Sequence, residues 1–264
     1  MRWLLGLSWA WLLLFVAAPA AILAGIGLLS PAETVPPLAL PIGLGGYGGL
    51  ADPFYLRALL GSLAVAAATA LLCLVLGYPM ALAIARSAHR RLLLLLVMLP
   101  FWSGILLRLI AWIGIFRDEG LINAALRGIG LAPLALLHTD AAMMVGLVYC
   151  YLPFMILPVE ARLAAADGRL EMAAADLGAR PWQVFRRITW PLSLPGVRAG
   201  LALVFIPVSG EYVIPDLLGA PGTPLIGRVI WDEFFQSADW PQATALATAL
   251  LAAMLAAAAL LRGR

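Results

Sequence analysis

Two charged side chains, Arg108 and Glu211, lie well inside long apolar stretches of this sequence. All 17 basic residues are arginine, which excludes Schiff-base chemistry and a lysine-dependent phosphate loop. The cysteine and histidine side chains are isolated and form no metal-binding or redox motif: Cys73, Cys150, His89 and His138. The remaining chemistry is electrostatic, since an ionisable group within a membrane span is a functional candidate by default.

Arg108 and Glu211 are predicted to lie at similar depth. Each follows the arginine-rich start of its stretch by about 16 residues, or about 24 Å along a helix. Two interpretations stand. The two charges pair and fix the packing, or Glu211, with Asp216 about one turn further out, faces a solute pathway and attracts an ammonium group. Nearby aromatic rings offer cation–π faces or anchor the membrane interface: Trp102, Tyr149, Tyr151 and Tyr212.

The elements that position these charges are hydrophobic helices. Hydrophobic residues make up 64% of the 264 positions and charged residues only 12%, with a mean hydropathy of +0.99. A soluble domain carries about twice that charge, so a soluble enzyme is excluded; one Arg and one Glu are too few for an intramembrane enzyme. Six stretches are long enough to span a membrane as helices: residues 4–29, 58–85, 92–116, 141–159, 196–218 and 241–261.

The arginines orient this predicted all-α, six-span membrane domain, which covers residues 1–264. The first stretch is too long for a signal core and is expected to be an uncleaved anchor. With the N-terminus inside, eleven arginines are cytoplasmic and four lie outside, so both termini are predicted to be cytoplasmic. Nine of the 14 acidic residues lie outside. Either they attract a cationic solute or a docking protein, or the outer loops are acidic only because the arginines are kept inside. Gly196 and Gly200 permit close helix packing.

The cytoplasmic segment 160–191 is predicted to form two short helices joined at a glycine. Asp167 is placed to cap the first helix, and Gly178 to end it in the left-handed conformation. Pro181 fits the first turn of the second helix. That helix presents one apolar stripe: Trp182, Phe185 and Ile188. We call this helix–glycine–helix segment the elbow.

The elbow resembles the EAA loop of ABC-importer permeases, whose pattern is E-A-A, three residues, G, nine residues and I-x-L-P. The matching positions are Ala173, Ala174, Gly178, Ile188 and Pro191. Met172 occupies the acidic position, with Glu171 one residue earlier, and Trp190 replaces the leucine. Glu171 either takes over the acidic role or the contact needs no charge. The small alanines let another protein approach the backbone closely.

Other stretches resemble the permeases of spermidine/putrescine importers, and together they cover nearly the whole chain. Residues 99–108 and 151–158 are similar to polyamine permeases in general. The run GEYVIPDLLG at 210–219 resembles the putrescine permeases most strongly, and 225–228, 231–235 and 239–241 extend that match. The resemblance implies a type I ABC-importer permease fold and transport of a polyamine. Another small solute stays open, whereas an ion-coupled secondary transporter is disfavoured because no internal repeat is found.

The resemblance also implies partners for this chain in the lipid of a bacterial inner membrane, and no nucleic acid. These are a second homologous permease, two ATP-binding subunits and a periplasmic polyamine-binding protein. The elbow is then the segment that docks on an ATP-binding subunit. ATP and Mg are expected on that subunit, because this chain lacks the G-x-x-x-x-G-K-[ST] loop, and the chain itself is expected to bind no cofactor or metal.

Overall fold

The structure is a computed structural model that describes residues 6, 9–32, 34, 36–40 and 42–262. Residues 4, 5, 7 and 8 of the first predicted span, together with Arg2, Glu33 and Arg264, lie outside the described residues. The strands β1 (Ser30–Pro31) and β2 (Leu38–Ala39) form an antiparallel pair. The helices are α1 (Trp9–Ile26), α2 (Gly45–Gly48), α3 (Pro53–Ala85), α4 (Arg90–Met98), α5 (Ile105–Phe116), α6 (Leu121–Gly128), α7 (Asp140–Ala164), α8 (Arg169–Asp176), α9 (Pro181–Ser209), α10 (Val213–Leu218), α11 (Ile226–Phe235) and α12 (Trp240–Arg262).

Five of the described helices are long and apolar enough to cross a membrane: α1, α3, α7, α9 and α12. The segment from α4 to α6 adds a sixth crossing if it is counted as one bent span. Five or six apolar helices confirm the predicted class, an all-α membrane protein.

The predicted third span, 92–116, is not one continuous helix. The chain bends by 90° between α4 and α5. The helical run continues through Pro100 to Trp102, and the backbone becomes extended at Ser103 and Gly104, where ψ is 142° and 151°. Gly104 favours the break because glycine has a low helix propensity. Ser103 Oγ donates to the carbonyl of Pro100 at 2.7 Å, which satisfies one backbone group at the break.

The elbow is shorter than the predicted segment 160–191. α7 continues to Ala164, and the second elbow helix runs on without interruption to become α9. A π-helical turn at Phe185–Thr189 lies just before Pro191. Because proline lacks an N–H, the wider turn suits its position inside a continuing helix.

The predicted fifth span, 196–218, is also broken. α9 ends at Ser209 and α10 begins at Val213, so Glu211 lies in the break and not within a spanning helix. Gly210 ends α9, since its lack of a side chain lowers helix propensity.

The chain divides into two compact units, Met1–Ser62 with Pro224–Ala256 and Leu63–Thr223 with Ala257–Arg264. The single domain over residues 1–264 stays a prediction. In the first unit, α11 packs through a buried cluster on the start of α3 and on α12: Ala58, Ile226, Val229, Leu246 and Leu250. Two hydrogen bonds add to this packing, from Tyr55 Oη to Glu233 Oε1 and from the N–H of Ile226 to Ser62 Oγ, both 2.7 Å.

In the second unit, α7 and α9 pack closely at two glycines. A Cβ added at Gly196 would lie 2.5 Å from the carbonyl oxygen of Pro158, and one at Gly200 would lie 2.6 Å from Met155 Sδ. These distances confirm that Gly196 and Gly200 permit close helix packing.

Replacing Gly196 by alanine is therefore expected to destabilise the α7–α9 contact by about 1–3 kcal/mol, the usual cost of overpacking. The obstructing atom at Gly196 belongs to backbone, whereas Met155 Sδ can move, so Gly200→Ala should cost less. Thermal unfolding of the purified protein measures both. Gly114→Ala on α5 is the control, because nothing lies within 4 Å of that Cβ; equal melting temperatures for all three variants would contradict this packing.

Candidate functional site

The elbow forms because local sequence ends one helix and starts the next. Gly178 has φ +83°, a conformation that costs other residues energy, and it follows α8 as predicted. Asp167 Oδ1 accepts the N–H of Arg169 at 3.0 Å, just before α8. Gln183 Oε1 accepts the N–H of Arg180 at 2.9 Å, a cap that the sequence analysis missed although the R-P-W-Q spacing signals it.

Glu171 ties the elbow to the rest of its unit. Its carboxylate accepts two hydrogen bonds from Arg86 Nη2, at 2.9 and 2.8 Å, and one from Thr189 Oγ1 at 2.5 Å. Arg86 follows α3 and Thr189 lies in the π-helical turn of α9. We call Arg86, Glu171 and Thr189 the elbow clasp. The acid that precedes the expected EAA position therefore faces inward.

The elbow exposes large apolar side chains among its charged residues. Met172, which replaces the expected acid, is 60% exposed, Leu177 is 89% exposed and Trp182 is 67% exposed. Large apolar side chains left exposed at one segment favour an interaction site there. A groove of about 340 Å³ beside them is lined in part by Ala174, Gly178 and Ile188.

The matched elbow residues thus fall into three groups. Ala174, Gly178 and Ile188 meet at the groove, Glu171 faces the clasp, and Ala173 and Pro191 are exposed without lining the groove.

Arg108 and Tyr151 line a cavity of about 560 Å³ whose other walls are Phe101 of the bend and apolar side chains of α5, α7 and α9. We call it the charged cavity. The Arg108 guanidinium lies 4.8 Å from the centre of the Phe101 ring. Arg108 Nε is buried and has no hydrogen-bond acceptor among the described residues.

Glu211 sits next to this cavity, in the break after α9. Its Oε2 accepts the hydroxyl of Tyr151 at 2.5 Å, and its Oε1 accepts the N–H groups of Tyr212 and Val213 at 3.2 and 3.0 Å. The carboxylate thus caps the start of α10, where the helix dipole favours an anion.

Arg108 and Glu211 do not form an ion pair. The ion pairs in the described part of the chain involve Arg86, Arg90 and Arg228, and none of them joins these two charges. The other predicted pathway residues are more scattered. Trp102 is 87% exposed in the bend after α4 and does not line the charged cavity, whereas Tyr212 and Asp216 are half-buried.

Two structural residues escaped the sequence analysis. Glu160 on α7 is only 2% exposed and forms an ion pair with Arg90 at the start of α4. Asn123 on α6 is fully buried and bonds the backbone of Arg117 and Leu134. No local signal separates them from ordinary polar residues, because their partners lie 70 and up to 11 positions away.

Comparison with known families decides the class. The family model described as "Binding-protein-dependent transport system inner membrane component" matches residues 73–262. The chain belongs to this family. The permease is accordingly a multi-pass protein of the inner membrane and a transport subunit.

Curated relatives match the permease along most of its length. It is 36% identical to the spermidine/putrescine transport system permease protein PotB of Haemophilus influenzae, over 93% of this chain and 87% of that protein. It is 38% identical to the protein of the same name from Escherichia coli K12, over 92% of this chain and 90% of that protein. These relatives confirm the resemblance to ABC-importer permeases of the spermidine/putrescine type.

A solved structure shares the fold. The permease matches a chain from the crystal structure of a bacterial alginate ABC transporter in complex with alginate pentasaccharide-bound periplasmic protein. The TM-score is 0.71 over 98% of this chain and 91% of that chain, at 21% identity.

Proposed function

We propose that this chain is the membrane-spanning permease subunit of an ATP-driven importer that carries a polyamine, putrescine or spermidine, across the inner membrane. The relatives named for spermidine/putrescine transport support the solute class. The observation that carries the mechanism is α9, which joins the elbow groove at Ile188 to the wall of the charged cavity at Leu203 and Ile206.

α9 is suited to transmit a movement of the elbow. Its 29 residues span about 43 Å, the length of a membrane with its headgroup regions. Force applied to the exposed apolar side chains of the elbow passes into the π-helical turn and then along one helix. α9 ends two residues before Glu211, so the break and the cavity wall move with it.

The importer we propose contains a second homologous permease, two ATP-binding subunits and a periplasmic polyamine-binding protein. The family description names binding-protein dependence, and the alginate transporter was crystallised with its periplasmic protein. The elbow end is cytoplasmic in this proposal, as the arginine distribution predicts. ATP and Mg bind the partner ATPase, and this chain supplies the docking surface.

Neutralising Glu171 is expected to weaken coupling. Glu171→Gln removes the charge that holds Arg86 and weakens the bond from Thr189, so the elbow moves more independently of α3 and α9. We expect ATP-driven uptake to fall about threefold to fivefold, because a partly exposed ion pair contributes less than about 1 kcal/mol. Proteoliposomes that contain the complete importer give this rate together with ATP hydrolysis.

Glu119→Gln, an exposed acid outside the elbow, is the charge-matched control for Glu171→Gln. Arg86→Gln should give the same defect, and the double variant should be no worse than either single one. If the losses of uptake in the two single variants added in the double variant, Arg86 and Glu171 would act independently and the elbow clasp would not exist as one interaction.

The solute class is tested with the complete importer in proteoliposomes. We expect saturable uptake of labelled putrescine or spermidine that requires the cognate binding protein, and no uptake of a diol of the same length. Uptake of an anionic solute in place of both polyamines would support the alternative, a permease for another small solute.

A further inference from the structure

Arg108 is half-buried, and its Nε is buried without a hydrogen-bond acceptor among the described residues. The guanidinium lies over the face of the Phe101 ring. Glu211, in the break between α9 and α10, is the acid that could pair with Arg108 from within this chain. Its oxygens already accept hydrogen bonds from Tyr151 and two backbone N–H groups. Leaving a charged donor unmatched in an apolar environment is costly.

The charged cavity is lined by exposed apolar side chains and one arginine, a combination that suits contact with another protein better than contact with lipid. Leu203 at its wall is 49% exposed, and Ile105 and Phe154 are 37% exposed. Taken alone, these side chains would suit lipid. Arg108 between them does not, because an arginine that faces lipid within the membrane is energetically costly.

The cargo is also a poor match for this cation. A polyamine carries ammonium groups, and like charges within a few ångströms repel one another strongly at low dielectric. A group that neutralises Arg108 must be an anion that stays with the importer.

We infer that the charged cavity is the socket for an Asp or Glu side chain from a membrane span of the second permease subunit. This inference rests on the proposed pairing of two permeases. A carboxylate entering beside Phe101 gives Arg108 a charge-assisted hydrogen bond and completes its neutralisation. The apolar side chains around the opening exclude water, which strengthens that bond.

The inference is tested on the assembled importer by how tightly the two permeases associate, with no solute present. Arg108→Gln should weaken the association of the purified permease pair about tenfold or more, since it leaves the partner's acid unpaired. Arg108→Lys keeps the charge and should recover most of the affinity. Arg198→Gln, an exposed arginine on α9, is the matched control.

The partner acid is then found by changing each Asp and Glu in the spans of the second permease to its amide. For one of these amide variants, the loss of affinity between the two permeases should not add to the loss caused by Arg108→Gln. Exchanging the arginine and the acid between the two chains should restore the association. The inference would be overturned if the affinity losses were additive for every acid tested, or if Arg108→Gln left the affinity of the two permeases unchanged. Because association is measured without solute or ATP, either result leaves the proposed transport function to its own test.

Discussion

Replacing Gly178 by valine is expected to leave the protein in the membrane and to cut ATP-driven uptake about fivefold to thirtyfold. The left-handed backbone conformation at Gly178 costs other residues about 1–2 kcal/mol. The cost is highest for a β-branched residue such as valine. Nothing lies within 4 Å of an added Cβ, so the effect is on backbone geometry and not on packing. The angle between α8 and α9 then shifts, and the docking surface no longer fits the ATPase. ATP hydrolysis continues without matching uptake.

The chain offers a close control for this variant. Gly130 has φ +79° and equally open surroundings, but it follows α6 and lies outside the elbow. Gly130→Val carries the same backbone strain and should leave coupling intact. Gly178→Asn should retain most of the uptake, because asparagine adopts the left-handed conformation more readily. Wild-type uptake by Gly178→Val in reconstituted vesicles would contradict the coupling role.

Replacing Glu211 by glutamine is expected to lower polyamine uptake about tenfold or more. The carboxylate accepts three hydrogen bonds, and those to a charged group contribute about 1.5–3 kcal/mol each. Glutamine keeps one acceptor oxygen for the start of α10, and its NH2 group can only donate to the Tyr151 oxygen, so the charge-assisted hydrogen bond from Tyr151 is lost. The amide also removes the negative charge that would attract an ammonium group to the break at Glu211. Uptake rates over a range of polyamine concentrations measure the effect.

Three comparisons separate a pathway role of Glu211 from a packing role. Tyr151→Phe removes one hydrogen bond and keeps the charge, so it should lower uptake less than Glu211→Gln does. Glu119→Gln, an exposed acid before α6, is the charge-matched control. A packing role predicts a fall in melting temperature that parallels the loss of uptake. Wild-type uptake by Glu211→Gln would exclude the pathway role.

Features that depend on neighbouring residues could be predicted from the sequence. The turn at Gly178 and the helix start at Pro181 follow from conformations that these two residues favour. The six apolar stretches follow from length and composition, and the close contact at Gly196 and Gly200 from their spacing on one helix face. The helix–glycine–helix geometry of the elbow was therefore predicted largely without a structure, whereas its docking role stays a prediction.

Features that depend on distant partners could not be predicted. The clasp joins Arg86 to Glu171 across 85 positions, and Tyr151 reaches Glu211 across 60. The residues on both sides of the breaks at 99–104 and 210–212 are strongly apolar, so the sequence predicts a continuous span across each break. Gly104 and Gly210 are the local signals there, and glycine inside an apolar stretch is common enough in spanning helices to leave the outcome open.

The central claim is that ATP hydrolysis on a partner, received at the elbow, drives polyamine uptake through this permease. The direct measurement is uptake of labelled putrescine or spermidine into proteoliposomes holding the complete importer, with ATP and an ion gradient supplied separately. We predict uptake with ATP and the binding protein in the absence of any gradient, and its loss with Gly178→Val. Uptake driven by the ion gradient without ATP would contradict the account.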